Sequence, residues 1–111
     1  MLNLSHFTFC PVDFQFIYPK GSDKSKFDDL DPLYVKINGI AINESGIKVC
    51  VRLFDEFKNF GLDKKSLTSK LCSDIIITGS GYISNDNNYN KVLNLDKYVF
   101  TGSYSLDYLI K

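Results

Sequence analysis

A chain of 111 residues with 13 basic and 13 acidic side chains carries no net charge, which excludes recognition of nucleic acid by bulk positive charge alone. At 44% hydrophobic and 14% aromatic residues it is apolar enough for one modest core, so disorder is excluded for most of its length and one domain is expected. Among the basic side chains only Arg52 is an arginine, and a set of bidentate arginine contacts to phosphate or guanine is excluded with it.

The charge is unevenly placed. Residues 1–33 hold three Lys and five Asp, while residues 34–111 hold ten basic and eight acidic side chains. The three cysteines, Cys10, Cys50 and Cys72, are odd in number and far apart. That pattern reads as three buried, inert thiols in a reducing cytoplasm rather than as a disulfide framework. The opening MLNLSHFTFCPVDF lacks a basic n-region and a long apolar run, so no signal peptide is expected. No run approaches the ~18 apolar residues that a membrane helix needs. Nine Phe and seven Tyr, with no Trp, lean towards strands.

In chain order, Phe7, Phe9, Val12, Phe14, Phe16 and Tyr18 alternate in two short pieces around Pro11. This predicts strand 1 over residues 7–18, with Pro11 marking an edge, a bulge or a bend because it cannot donate to a ladder. Residues 19–33 are polar, charged and bracketed by Pro19 and Pro32, a long loop that is either functional or merely solvated. The stretch 34–54 reads as a hairpin. In its second arm Ile47, Val49, Val51 and Leu53 share one face and Lys48, Cys50, Arg52 and Phe54 the other, the period of a half-buried strand. Asn43-Glu44-Ser45-Gly46 supplies the turn, and Gly39 inside the first arm predicts a bulge or a tight bend.

Residues 55–61 read as a connection. Asp63 is placed to cap a short helix running through about Cys72, with Leu67 and Leu71 on one face and Lys64, Lys65 and Lys70 exposed. Strand 4 is expected over 74–83, where Gly79 and Gly81 share a face with Ile75, Ile77 and Ile83. Two glycines on one face favour strong curvature or close approach by another chain. Residues 84–90 are a turn-rich loop and strand 5 follows over about 91–100. The apolar tail 103–111, with Tyr104, Leu106, Tyr108, Leu109 and Ile110, reads as a docked strand or a short helix.

The order β-loop-β-β-α-β-β predicts a mainly β protein: a small OB-like five-stranded curved sheet or barrel with one short helix between strands 3 and 4. Closure would also remove the exposed edges of so many short strands. Three pieces carry a resemblance to a known family. They are VKINGIAIN at 35–43, KVCVRLFDEF at 48–57, and DIIITGSGYIS followed by NKVLNLDKYVF. Together they resemble the OB-fold single-stranded DNA-binding proteins, and are similar in pattern to the middle subunit of replication protein A. The resemblance covers residues 34–100. In that family the strand with a central Gly is often the first, which would make Val35–Asn43 strand 1. Alternation from Phe7 makes it strand 2, and the count from Phe7 is adopted.

Single strands are held by bases stacked on aromatic rings and cations tracking the phosphates. An OB-fold does this on the outer face of strands 2 and 3, between the loops that join strands 1–2 and 4–5. Here that surface would present Tyr34, Lys36 and Asn38 from strand 2 and Lys48, Arg52 and Phe54 from strand 3. Tyr82, Tyr89 and Lys91 would frame the 4–5 loop, and the loop 19–33 would add Lys20, Lys24, Lys26 and Phe27. Against this, Tyr and Lys are ordinary outward residues on any half-exposed strand. Phe54 reads equally well as core, and Asp28, Asp29 and Asp31 would repel phosphate.

No catalytic residue, metal site or cofactor is expected. His6, Cys10, Cys50 and Cys72 lack the close pair spacing of a zinc site. His6 has no spaced partners for a nucleophilic triad, and Cys10 with His6 lacks a third member. Gly79-Ser80-Gly81 lies within a strand and Ser84 stands where a dinucleotide fingerprint needs Gly. The expected function is therefore non-enzymatic binding of single-stranded DNA or RNA, as an accessory replication or recombination factor of a phage or other mobile element. The alternative is a protein-interaction module, such as an immunity or inhibitor protein or an assembly subunit. Its apolar tail would dock on a partner or on a second copy.

Overall fold

The computed structural model describes residues 4–103. Strand β1 (Ser5–Ile17), β2 (Tyr34–Ile42) and β3 (Lys48–Glu56) form an antiparallel meander. Strand β4 (Ile75–Asn85) pairs antiparallel with the first part of β1 on one side and with β5 (Lys91–Leu95) on the other. One parallel pair, Arg52 with Val92, joins β3 to β5. The ring β1-β2-β3-β5-β4 is thereby closed, and β6 (Val99–Ser103) adds a further strand on β4. With the helix α1 (Lys64–Leu71) between β3 and β4, this is a mainly β, OB-like barrel, as its element order predicts.

Alternation fills the barrel. Val35 and Ile37 from β2, Leu53 from β3, Ile77 from β4 and Leu93 from β5 all point inward and are buried with Phe9. The helix adds Leu67 and Leu71 to the same core. Burying a side chain as fully as Leu67 is worth about 1.5–3 kcal/mol. Local chemistry sets where the helix begins: the Asp63 carboxylate accepts the Ser66 N–H at 2.7 Å, so one otherwise unpaired donor of the first turn is satisfied.

The interior glycines mark where backbones meet. A Cβ on Gly81 would sit 1.9 Å from the Asn94 carbonyl oxygen, and one on Gly79 would sit 2.6 Å from that of Lys97. The close approach at this pair is made by the chain's own residues 94–97, not by another chain. Gly39 is different from its expectation. Strand β2 runs through it without a bulge, and the bulge lies across the ladder in β1, between Pro11 and Asp13. Gly39 is required because a Cβ there would meet the Cys10 carbonyl at 2.3 Å and the Phe9 ring at 2.8 Å. The extra residue is Val12, which turns outward and is 64% exposed.

Other boundaries move. Strand 1 begins two residues earlier, at Ser5, because its first residues pair with β4 rather than β2. Ile47 belongs to the turn and is exposed, so it does not share the buried face of Val51 and Leu53. The loop 19–33 contains a short 3-10 turn over Lys24–Asp29. The single strand expected over 91–100 is broken. Gly81 faces Leu95 and Thr78 faces Val99, so three steps along β4 meet four along its partner. The slack is taken up at 96–98, where Asp96 N–H donates to the Ser80 carbonyl. There Tyr98 also leaves the ladder. Its ring stacks on Phe60 with centroids 4.4 Å apart, and its hydroxyl donates to Asp55 Oδ2 at 2.6 Å.

No helix among the described residues is long and apolar enough to cross a membrane. The tail residues Tyr104, Leu106, Tyr108, Leu109 and Ile110, for which docking is expected, lie outside the described residues, as do the side chains of residues 27–29, including Phe27.

Candidate nucleic-acid interface

The outer face of β2 and β3 is a ladder of facing pairs, Lys36 with Phe54, Asn38 with Arg52 and Ile40 with Cys50, ending at Lys48 opposite the buried Ile42. Register fixes these neighbours, since side chains two apart on one strand share a face. At one end Tyr34 leans diagonally onto Phe54, with ring centroids 5.1 Å apart and planes 20° from parallel. Phe54 is 44% exposed and so is not core. The two rings back one another and form one aromatic platform, with Lys36 directly opposite Phe54.

Arg52 sits at the middle of the face. Its Nε donates to Asn38 Oδ1 at 3.4 Å, and the Asn38 amide donates to Asp13 Oδ1 at 2.8 Å. On its other side Arg52 Nη1 lies 4.0 Å from Asp86 Oδ2. Asp86 is the organiser of the β4–β5 turn. Its Oδ1 accepts the backbone N–H of Asn88 at 2.8 Å and of Asn90 at 2.9 Å, and its Oδ2 accepts the Asn90 amide at 3.2 Å. The Asn90 backbone bond foremost, then those from Asn88 and the Asn90 side chain and the Arg52 charge, hold the Asp86 carboxyl below the usual range.

Two open grooves meet at Arg52. One, of about 410 Å³, runs from Lys36 and Phe54 to Ser84, Asn85 and Asp86. The other, of about 360 Å³, runs from Asp13 and Asn38 past Cys50 to Asn90 and Lys91. Of the residues expected to form the site, the structure gathers Tyr34, Lys36, Asn38, Arg52, Phe54 and Lys91. Lys48 stands at the hairpin-turn end and lines neither groove. Its charge acts on Cys10, whose thiol is pushed up by burial and eased back by Lys48. Tyr89 juts from the turn at φ 63°, 86% exposed. Tyr82 borders a separate hollow of about 210 Å³ with Leu4, Asn94 and Asp96.

The loop 19–33 is also elsewhere. None of its described residues lines either groove. Its far end rests on α1, where Lys64 Nζ donates to the Leu30 carbonyl at 3.4 Å and lies 4.9 Å from the Tyr18 ring centroid. Sequence reasoning missed Asp13 and Asp86, the two carboxylates that bracket Arg52. Asp13 is invisible without the strand register. For Asp86 the run Asp86-Asn87-Asn88-Tyr89-Asn90 is a side-chain-capped turn signal, but nothing local ties it to Arg52.

Chemically the face offers one stacking platform and three cations, Lys36, Arg52 and Lys91, against two carboxylates. Among the described residues no three His, Cys, Asp or Glu side chains gather as a metal site, and of the three cysteines expected to be buried only Cys10 is, Cys50 and Cys72 being exposed. No family model, curated protein or solved structure matches the chain.

Proposed function

We propose that this protein binds single-stranded nucleic acid across the outer face of β2 and β3. The observation that carries the reading is the Tyr34–Phe54 platform beside Lys36, opening onto a groove walled by the β4–β5 turn. A base stacks on the exposed side of the platform, its phosphates lie against Lys36 and Arg52, and Lys91 receives the next segment. Recognition is sequence-tolerant, because every base has a face to stack. Few cations are offered, so affinity is modest and the salt dependence shallow. The setting that fits is a reducing cytoplasm, with the protein acting as an accessory to replication or recombination on a mobile element.

Fluorescence anisotropy of labelled oligo-dT and of a duplex of equal length, each across a salt series, tests this. Saturable binding to the single strand, weaker for the duplex, is the expected result. No binding to the single strand at the lowest salt refutes it. One observation favours a second reading, a protein partner: the only arginine is flanked by carboxylates, a charge-balanced centre suited to polar protein contacts. Loss of oligonucleotide binding together with specific capture of one protein partner through the Phe54 face would select it.

A further inference from the structure

The centre of the face is self-occupied. Arg52 is bound on both sides by groups of this chain: Asn38, itself held by Asp13, and Asp86. Yet Arg52 is the one residue common to both grooves, so any backbone crossing from one to the other passes it. Asp86 cannot simply swing away, because two backbone N–H groups and the Asn90 amide fix its carboxylate. Both partners are about a third exposed, at 34% and 30%, so an incoming anion can reach the pair.

We infer that Asp86 is a built-in competitor for phosphate: it holds Arg52 in the unbound protein and must be displaced before Arg52 can take a phosphate of the strand. This rests on the reading of the face as a single-strand binder. Exchanging one anion for another at Arg52 leaves a carboxylate that regains a cation, so this contact releases no net counterion. Without the carboxylate the same contact adds one released charge. The signature is therefore in the salt slope as well as in the affinity.

The test is Asp86→Asn. The amide keeps one oxygen to accept the N–H groups of residues 88 and 90, so the turn persists. Asp86→Ser, whose hydroxyl accepts the same bonds, is the second variant. Binding of a labelled oligo-dT of about 12 nucleotides, within the roughly 4–16 that one OB fold covers, is measured across salt. Expected at low salt is about two- to fivefold tighter binding, the scale of one exposed ion pair. The slope of log affinity against log salt should steepen by about 0.7, one phosphate's worth on a single strand.

Both gains should vanish in an Arg52→Gln background and be absent in Asp74→Asn, which removes a carboxylate that lines neither groove. Wild-type affinity and slope in both Asp86 variants overturns the inference and leaves the binding face standing. A gain that persists without Arg52, or that Asp74→Asn reproduces, overturns it too, since bulk charge would then be the cause. If neither wild type nor variant binds at the lowest salt, the reading of the face fails and the inference falls with it.

Discussion

Gly81→Ala puts the barrel's construction to a direct test. The new methyl would start 1.9 Å from the Asn94 carbonyl oxygen and 2.8 Å from its carbon, where ordinary contact begins at 3.4 Å. Strand β5 would have to withdraw by about 1.5 Å, the difference between the two distances. The obstacle is backbone, so no side chain can rotate to make room. Overpacking of this kind costs about 1–3 kcal/mol, and the upper end applies because all three nearest atoms are backbone. At roughly 4 °C per kcal/mol for a chain of this size, the melting midpoint should fall by about 12 °C. Gly46→Ala is the control. Gly46 has φ +81° but nothing within 4 Å of a new Cβ, so the variant bears only the left-handed backbone cost, about 1–2 kcal/mol. Thermal melts by circular dichroism compare the two. If Gly81→Ala melts at or above Gly46→Ala, the close approach of β5 to β4 is not what holds this seam.

Phe54→Ala should weaken oligo-dT binding by about 5- to 150-fold, the equivalent of about 1–3 kcal/mol for one stacked base. Tyr34→Ala should give much of the same loss, and the double variant less than the sum, because the rings form one platform; strictly additive losses by anisotropy would refute a shared platform. Tyr98→Phe removes the hydrogen bond to the Asp55 carboxylate and should cost about 1.5–3 kcal/mol in urea denaturation. Burial first, then the bond and charge of Asp55, raise the Tyr98 phenol above its ordinary 10.0 in the folded state. The stability it contributes is thus present below about pH 10 and lost as pH rises beyond. The gap between wild type and Tyr98→Phe should narrow in alkali, and a constant gap would refute the assignment. A thiol reagent on the native protein should label Cys50 and Cys72 readily and Cys10 only on unfolding, since Cys10 is buried and its thiol pushed up. Three equally fast thiols would contradict the β1–β2 packing.

The barrel was legible where one residue type does one job. Alternation through Lys48–Phe54 set the two faces of β3, Asp63 set the start of α1, and the paired glycines 79 and 81 marked a special backbone site without telling curvature from close approach. What was not legible depends on which strand lies opposite. Pro11 marked an edge, a bulge or a bend and the bulge does lie beside it, at Val12, but only the β1–β2 register tells that β1 rather than Gly39 in β2 absorbs the extra residue. The break at 96–98 arises from Asp55 and Phe60, some forty positions earlier in the chain, which draw Tyr98 out of line. The same holds for the face. Tyr34, Lys36, Asn38, Arg52 and Phe54 came from strand period, but the carboxylates that temper Arg52 come from β1 and the β4–β5 turn.

The β3–β5 seam, a single parallel pair between residues 52 and 92, has a kinetic consequence. The meander β1-β2-β3 is built from neighbours in the chain and can assemble early, whereas the seam must close a long loop for little reward in backbone bonding. It should therefore be among the last parts of the ring to form and among the first to exchange its amide hydrogens, an order that native-state hydrogen exchange would read. Because Arg52 stands on one lip of that seam and Asp86 lies in the turn that leads into the other, a brief opening would separate the pair. The most thinly bonded joint of the ring thus lies at the one residue that lines both grooves.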